Sequence, residues 1–296
     1  MPLLYSETLK RLSRPLSPIP TSEHPDFPHL EDVRAVLFDV YGTLFISGSG
    51  EVGTTSQAAC QSAFAEAFAA ADIAVAVPPS EGVRLLQDRI EHLHEEARQQ
   101  GEEYPEVDIV EVWRFVVEQF VAAGKIPTEA ARRADLKLLA VEYEARANPV
   151  WPMPGLSDCL RQLRSRRFVM GIVSNAQFYT RELFPALLGH RAEAWGFDPA
   201  LQFYSYEHGR AKPGISLYRM AAEQLTARNI APAEVLYVGN DMLNDIVPAA
   251  RVGFRTALFA GDARSLRRRR GDPRVNGVSP EAVLTALSDL RLCFPR

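Results

Sequence analysis

The apolar pattern of this chain changes character twice, and those two changes limit its fold more than any other feature. Residues 33–40 form a short apolar run, with Val33, Val36 and Val40, in which Asp39 is the carboxylate at the end. Its length and β-branched content suit a buried strand. For roughly 100 residues afterwards the strand signal all but vanishes, a length that suits a separate helical subdomain. Apolar side chains recur there at helical spacing. They are Val83, Leu86, Ile90 and Leu93 within 80–100, Val107, Val110, Trp113, Val117 and Phe120 within 106–123, and Ala131, Leu136, Leu139 and Tyr143 within 128–147. An Ala-rich stretch at 54–72 precedes them, and Gly101, Gly124, Pro127 and Pro149 punctuate the block.

Past Trp151-Pro152-Met153-Pro154-Gly155 the pattern becomes an alternation. Helices are expected over 155–165, 178–188, 214–228 and 243–252, and strands over 168–173, 201–205, 235–238 and 254–259. Alternating strands and helices imply an α/β fold, a doubly wound, Rossmann-like parallel sheet covered on both faces, here with an all-helical insert. The expected division is a core of 33–47 and 152–296, a helical cap of 48–151, and an irregular N-terminal arm of 1–32. The arm carries Pro15, Pro18, Pro20, Pro25 and Pro28, with one short helix near 6–12. Trp151 and its neighbouring prolines read as the hinge of the insert.

Composition narrows the function classes. With 296 residues, 47% of them hydrophobic and 24% charged, the chain has material for a sizeable core. A net charge of −4 argues against broad nucleic-acid binding, which needs surplus positive charge. Nowhere do enough apolar residues run together for a membrane helix, and residues 1–7 do not read as a secretory signal. Cys60, Cys159 and Cys293 are few and far apart, as in a reduced, cytoplasmic protein with buried thiols. Only 4 of the 33 basic residues are Lys, so each Lys is informative. The four-Arg run 267–270 reads as a solvated loop, with an anion-binding patch as the alternative. His92 and His94 stand two apart on different helix faces, which is a solvated surface and not a metal pair.

In parallel sheets, ligands sit at the carboxyl ends of the strands. The first strand ends in Asp39-Val40-Tyr41-Gly42-Thr43-Leu44, the second in Ser174-Asn175, and the strand at 235–238 in Gly239-Asn240-Asp241, with Asp245 four residues on; Lys212-Pro213 precedes a helix. A carboxylate on a rigid strand can act as a nucleophile. Gly42 permits the turn that exposes it, a Ser hydroxyl can hold an anionic group beside it, and a Lys offsets the charge. Asp39 and Asp241 could share a hard cation. Ser174-Asn175 alone could cap a loop, Asp245 could cap a helix, and Tyr218 reads as core rather than site.

These segments, in this order, resemble the four motifs of the haloacid dehalogenase superfamily, with 135 residues from Asp39 to Ser174, 38 to Lys212 and 29 to Asp241. The resemblance covers 33 to about 260, and the helical block looks like that family's mobile cap. It implies Asp39 as the nucleophile supported by Thr43, Ser174 and Asn175 on the transferred group, and Lys212 paired with Asp39. It also implies Mg²⁺ on Asp39, the Tyr41 carbonyl and Asp241, with Asp245 as a further ligand or as the partner of Lys212. Tyr41 stands where most phosphatases of the superfamily carry an acid. With a pKa of ~10 it is a poor replacement, and a positioned acid–base is worth ~10²–10⁴-fold in rate. The string Asp-x-Tyr-Gly-Thr-Leu is similar to the metal-free 2-haloacid dehalogenases, whose halide leaves without a proton. Against that, residues 47–83 contain no halide-binding Arg, and Asp241 and Asp245 look metal-dependent, although Asn240 holds the place of the first acid. The expectation is Mg²⁺-assisted hydrolysis of a small phosphorylated molecule, with no nucleic-acid or membrane partner and an open oligomeric state. The alternatives are a metal-free dehalogenase and a binding protein on the same fold.

Overall fold

A computed structural model describes residues 2–50 and 56–295. In chain order the chain forms α1 (Pro2–Leu12), β1 (Ala35–Phe38), β2 (Phe45–Ser47), α2 (Gln57–Ala70), α3 (Pro79–Gln99), α4 (Ile109–Ala122), α5 (Thr128–Arg133), α6 (Leu136–Ala147) and β3 (Val150–Pro152). There follow α7 (Leu156–Ser165), β4 (Val169–Ser174), α8 (Leu183–Leu188), α9 (Ala192–Trp195), β5 (Phe197–Tyr204), α10 (Ser205–His208), α11 (Ser216–Thr226), β6 (Val235–Gly239), α12 (Val247–Arg251), β7 (Arg255–Phe259) and β8 (Ala282–Leu284). Residues 54 and 55 of the first expected insert helix lie outside the described residues.

Six strands form one parallel sheet in the order β5-β4-β1-β6-β7-β8. Successive strand residues face opposite sides, and the two layers divide accordingly. Val36, Phe38, Leu236 and Val238 enter one apolar cluster, and Ala35, Leu37, Val235 and Tyr237 the other. Both faces are covered, which is why these strands read as continuous apolar runs. The chain winds from β1 through β4 to β5 on one side and returns to β6 on the other. The carboxyl ends of β1 and β6 are therefore a switch point where the sheet leaves a crevice.

The insert leaves and re-enters beside an antiparallel pair, β2 with β3, which aligns Phe45 with Pro152 and Ser47 with Val150. Its helices bury an apolar cluster of their own around Phe64, Phe68, Trp113 and Phe120. Three expected helices differ in detail. The one over 128–147 breaks at Ala134–Asp135, because the Asp135 side chain accepts from Leu138 N at 3.0 Å and starts α6 afresh. The one over 178–188 opens as a 3₁₀ turn, Phe178–Glu182, before α8. The one over 243–252 opens as a π-helical turn, Met242–Ile246. Pro248 has no N–H to give the Asn244 carbonyl, and the Tyr218 hydroxyl donates to that oxygen instead at 2.8 Å.

The arm is less irregular than expected. Its helix α1 packs on α6 and α8, with Tyr5 bonded to Asp135 and Arg11 paired with the buried Glu142. Beyond it, Ile19 N donates to Asp262, Thr21 to the Ala260 carbonyl, and Asp26 bridges Val283 of β8. All three cysteines are buried. Among the described residues no helix is long and apolar enough to cross a membrane.

Candidate active site

Asp39 follows the last residue of β1, its N–H donating to the Val238 carbonyl at 3.0 Å. Its Oδ1 accepts from Ser174 Oγ at 2.9 Å and from Lys212 Nζ at 2.6 Å. Lys212 Nζ also donates to Asp245 Oδ1 at 2.6 Å. Burial alone would depress the ammonium, but Asp245 and Asp39 outweigh it and hold the Lys212 pKa above its ordinary value. Asp245 is pushed upward by burial, with Asp39 and Asp241 adding to the shift against the pull of Lys212. Its Oδ2 accepts from Asp241 N at 2.9 Å, and Tyr237 OH reaches Oδ1 at 3.2 Å. Asp245 is therefore the partner of Lys212. Gly239 makes room for it, because a Cβ there would stand 2.5 Å from the Asp245 carboxylate carbon.

Asn175 clasps the backbone of Lys212 from both sides, with Nδ2 to the carbonyl at 3.1 Å and Oδ1 from the N–H at 2.7 Å. Its amide thus positions Lys212, while the residue still lines the pocket at Asp39. Thr43 Oγ1 donates to Asn240 Oδ1 at 3.1 Å, and Asn240 Nδ2 to the Ser265 carbonyl at 2.6 Å, tying the loop after β1 to the end of β6. Gly42 adopts φ +79°, and a Cβ there would meet Ser265 Cβ at 2.4 Å, so no larger residue fits. Tyr41 is turned to other work: its hydroxyl pairs with Thr180 Oγ1 at 2.9 Å. Burial and then Glu144 raise its pKa further, so it stays protonated and is a weak acid.

Asp241 departs from the expected metal set. Its Oδ1 accepts from Leu243 N at 2.9 Å and Asn244 N at 3.3 Å, capping the π turn. Arg269 grips the same carboxylate, with Nε at 3.1 Å from Oδ1 and Nη2 at 2.6 Å from Oδ2. The four-Arg run is therefore not a uniformly solvated loop. Arg268 pairs with Glu23, Arg269 with Asp241, and only Arg270 is largely exposed, at 85%. With Asp241 held by Arg269 and Asp245 by Lys212, the residues as arranged do not fit a divalent cation shared with Asp39. Among the described residues no three His, Cys, Asp or Glu side chains are grouped to hold one.

Asn175 lines both the pocket at Asp39, about 130 Å³, and a second cavity of about 430 Å³. Trp113, Tyr143 and Tyr179 line the second, together with Glu106 and Glu144 and, among the described residues, no Lys or Arg. Burial pushes both carboxyls up. His94, expected on a solvated surface, lines this cavity too, and burial pushes its imidazole down.

The site is thus an aspartate backed by a lysine at the switch point of a parallel sheet. Residues 33–253 match the haloacid dehalogenase-like hydrolase family, and the chain belongs to it. A 2-haloacid dehalogenase from Pseudomonas syringae superposes with a TM-score of 0.58 at 20% identity, covering 88% of this chain and 96% of that one. The protein CbbY from Rhodobacter sphaeroides, solved with phosphate, gives 0.48 at 17% identity, covering 87% and 96%. At these identities the likeness concerns the fold. An uncharacterized hydrolase of Schizosaccharomyces pombe is 29% identical over 105 residues, which are 33% of this chain and 42% of that protein. The match thus spans under half of that relative.

Proposed function

We propose that this chain hydrolyses a small anionic molecule through an ester formed on Asp39, expelling a group that leaves as a stable anion, as a halide leaves carbon. The observation that carries this reading is the pair of donors on Asp39 Oδ1, Ser174 Oγ at 2.9 Å and Lys212 Nζ at 2.6 Å. Oδ2 attacks the substrate carbon, and the carbon–halogen bond breaks with its electron pair on the halide. Oδ1 becomes the ester carbonyl oxygen. Water then adds to the Asp39 carboxyl carbon, and the charge that gathers on Oδ1 already faces two donors, an oxyanion hole built around the nucleophile. Collapse releases the alcohol, and one proton passes to solvent. Tyr41, a weak acid paired with Thr180, is a poor proton donor, and the departing halide needs none.

Phosphate hydrolysis is the second reading, favoured by Asp245 at its phosphatase-like spacing and by Arg267 in the lining of the pocket. There Mg²⁺ would supply charge neutralisation on the phosphate when bound, and Asp39 and Asp241 would be the residues to hold it once Asp241 was released from Arg269. Without an acid at position 41, this reading is confined to good leaving groups such as acyl phosphates. The two separate in one experiment, with 2-chloropropionate, acetyl phosphate and para-nitrophenyl phosphate, each with Mg²⁺ or a chelator. Halide release that persists in chelator and disappears in Asp39→Asn supports the first. Turnover of phosphates alone, and only with Mg²⁺, overturns it in favour of the second.

A further inference from the structure

We propose that Arg269 takes the place a divalent cation would hold beside Asp241, so that the site carries its own fixed counter-charge. The first ground is the acceptor capacity of the carboxylate. An ionised carboxylate offers about four lone-pair sites. Asp241 already receives Leu243 N, Asn244 N and Arg269 Nη2, while Arg269 Nε lies 3.1 Å from Oδ1 and 3.2 Å from Oδ2. No oxygen is left for a metal. A guanidinium matches a carboxylate as a planar fork and keeps its charge across the pH range.

The second ground is that the loop bearing Arg269 is stitched to the strand end it serves. Arg267 N donates to the Asn240 carbonyl and Met242 N to the Arg267 carbonyl, both at 2.9 Å. On its other side Arg268 pairs with Glu23 of the arm. Arg269 itself sits at φ +51°, a left-handed conformation that a side-chain-bearing residue keeps only when its surroundings impose it. The third ground is charge. Among the described residues each of the three carboxylates already has a cation on it, Lys212 on Asp39 and Asp245, and Arg269 on Asp241. A divalent ion added to this set would meet a guanidinium in its place. Arg269 is a positioning residue here, since it touches Asp241 and not the reacting atoms.

The test is calorimetric titration of the full chain with Mn²⁺ and Mg²⁺, in wild type, Asp241→Asn, Arg269→Lys, Arg269→Gln and the Arg269→Gln, Asp241→Asn double variant. Wild type and Arg269→Lys are expected to bind neither ion saturably. Arg269→Gln frees Asp241 and should bind at least about tenfold more tightly, a gain the double variant loses. Wild-type binding that Asp241→Asn removes overturns the proposal, and so does a folded Arg269→Gln that gains nothing. Should Arg269→Gln fail to fold, the comparison of wild type with Asp241→Asn decides alone. None of these isotherms involves a substrate, so they stand apart from the reading of Asp39 as nucleophile.

Discussion

At the scale of single residues, the candidate site is a chain of buried charges in which each member is held by the next. Asp39, Lys212 and Asp245 are all nearly inaccessible, with side chains 8%, 4% and 2% exposed. Lys212→Met leaves two buried carboxylates with no cation between them, and breaking a buried pair in this way costs about 3–5 kcal/mol. Urea unfolding should show a loss of that order, whereas Asp39→Asn, which keeps shape and hydrogen bonds, should unfold much as wild type while turnover falls to background. Glu106 and Glu144 make a separate prediction. Their folded pKa values lie above the ordinary value of 4.5 because of burial. The folded state then binds more protons than the unfolded one, so stability from these groups is lost as pH rises through the raised values. Glu106→Gln with Glu144→Gln should raise the melting temperature at about pH 8 more than at about pH 5. Asp39, Ser174, Lys212 and Asp245 were legible in the sequence because strand ends converge by rule. Arg269 was not: it lies 28 residues from Asp241 in an aperiodic loop, and only the folded path of that loop brings them together.

At the scale of elements, the turn after β6 shows how a local defect is repaired from outside. Pro248 cannot serve the Asn244 carbonyl, and the hydroxyl of Tyr218, on α11, does so. Tyr218→Phe keeps the ring packing against Tyr237, centroids 4.9 Å apart, but takes its donor from the part-buried Asn244 carbonyl. That costs about 1–3 kcal/mol, to be measured as a lower denaturation midpoint. The proline was readable in sequence, but the tyrosine that compensates for it is a tertiary fact. The same limit explains the elements the sequence did not disclose. The strands β2, β3 and β8 are three residues each, too short for a period to register. The break before α6 was masked because the apolar spacing runs on through 128–147 while the capping aspartate looks like any exposed acid.

For the whole molecule, the alternation beyond residue 155 carried the layered architecture, because a strand covered on both faces must be apolar throughout. What composition concealed was the arm, whose prolines read as irregular while its contacts cross the molecule. α1 lies between α6 of the insert and α8 on the sheet side, with Leu9 buried and the Tyr5 ring edge-on to Phe178 at 6.0 Å. Removing residues 1–12 strips Arg11 from Glu142, although Arg146 remains bonded to that carboxylate. We expect the truncated chain to fold with a lower melting temperature. Amide exchange should accelerate in α6 and α8 and stay unchanged in β1, β4 and β6. Uniform acceleration across the sheet would show that the arm supports the entire fold and not this seam.

The asymmetry of the two oxygens of Asp39 leaves an isotopic record. Oδ1 is anchored by Ser174 and Lys212, so on the proposed ester route the attacking atom would be Oδ2, and the ester linkage would carry that atom away in the product. In heavy-oxygen water the first product should contain light oxygen taken from the protein, and later products heavy oxygen. The peptide bearing Asp39 should gain a single heavy atom, because the anchored oxygen never leaves. A phosphoryl group attacked at phosphorus would return the aspartate with both oxygens light. The mass of one peptide after many turnovers therefore reports which atom the water strikes.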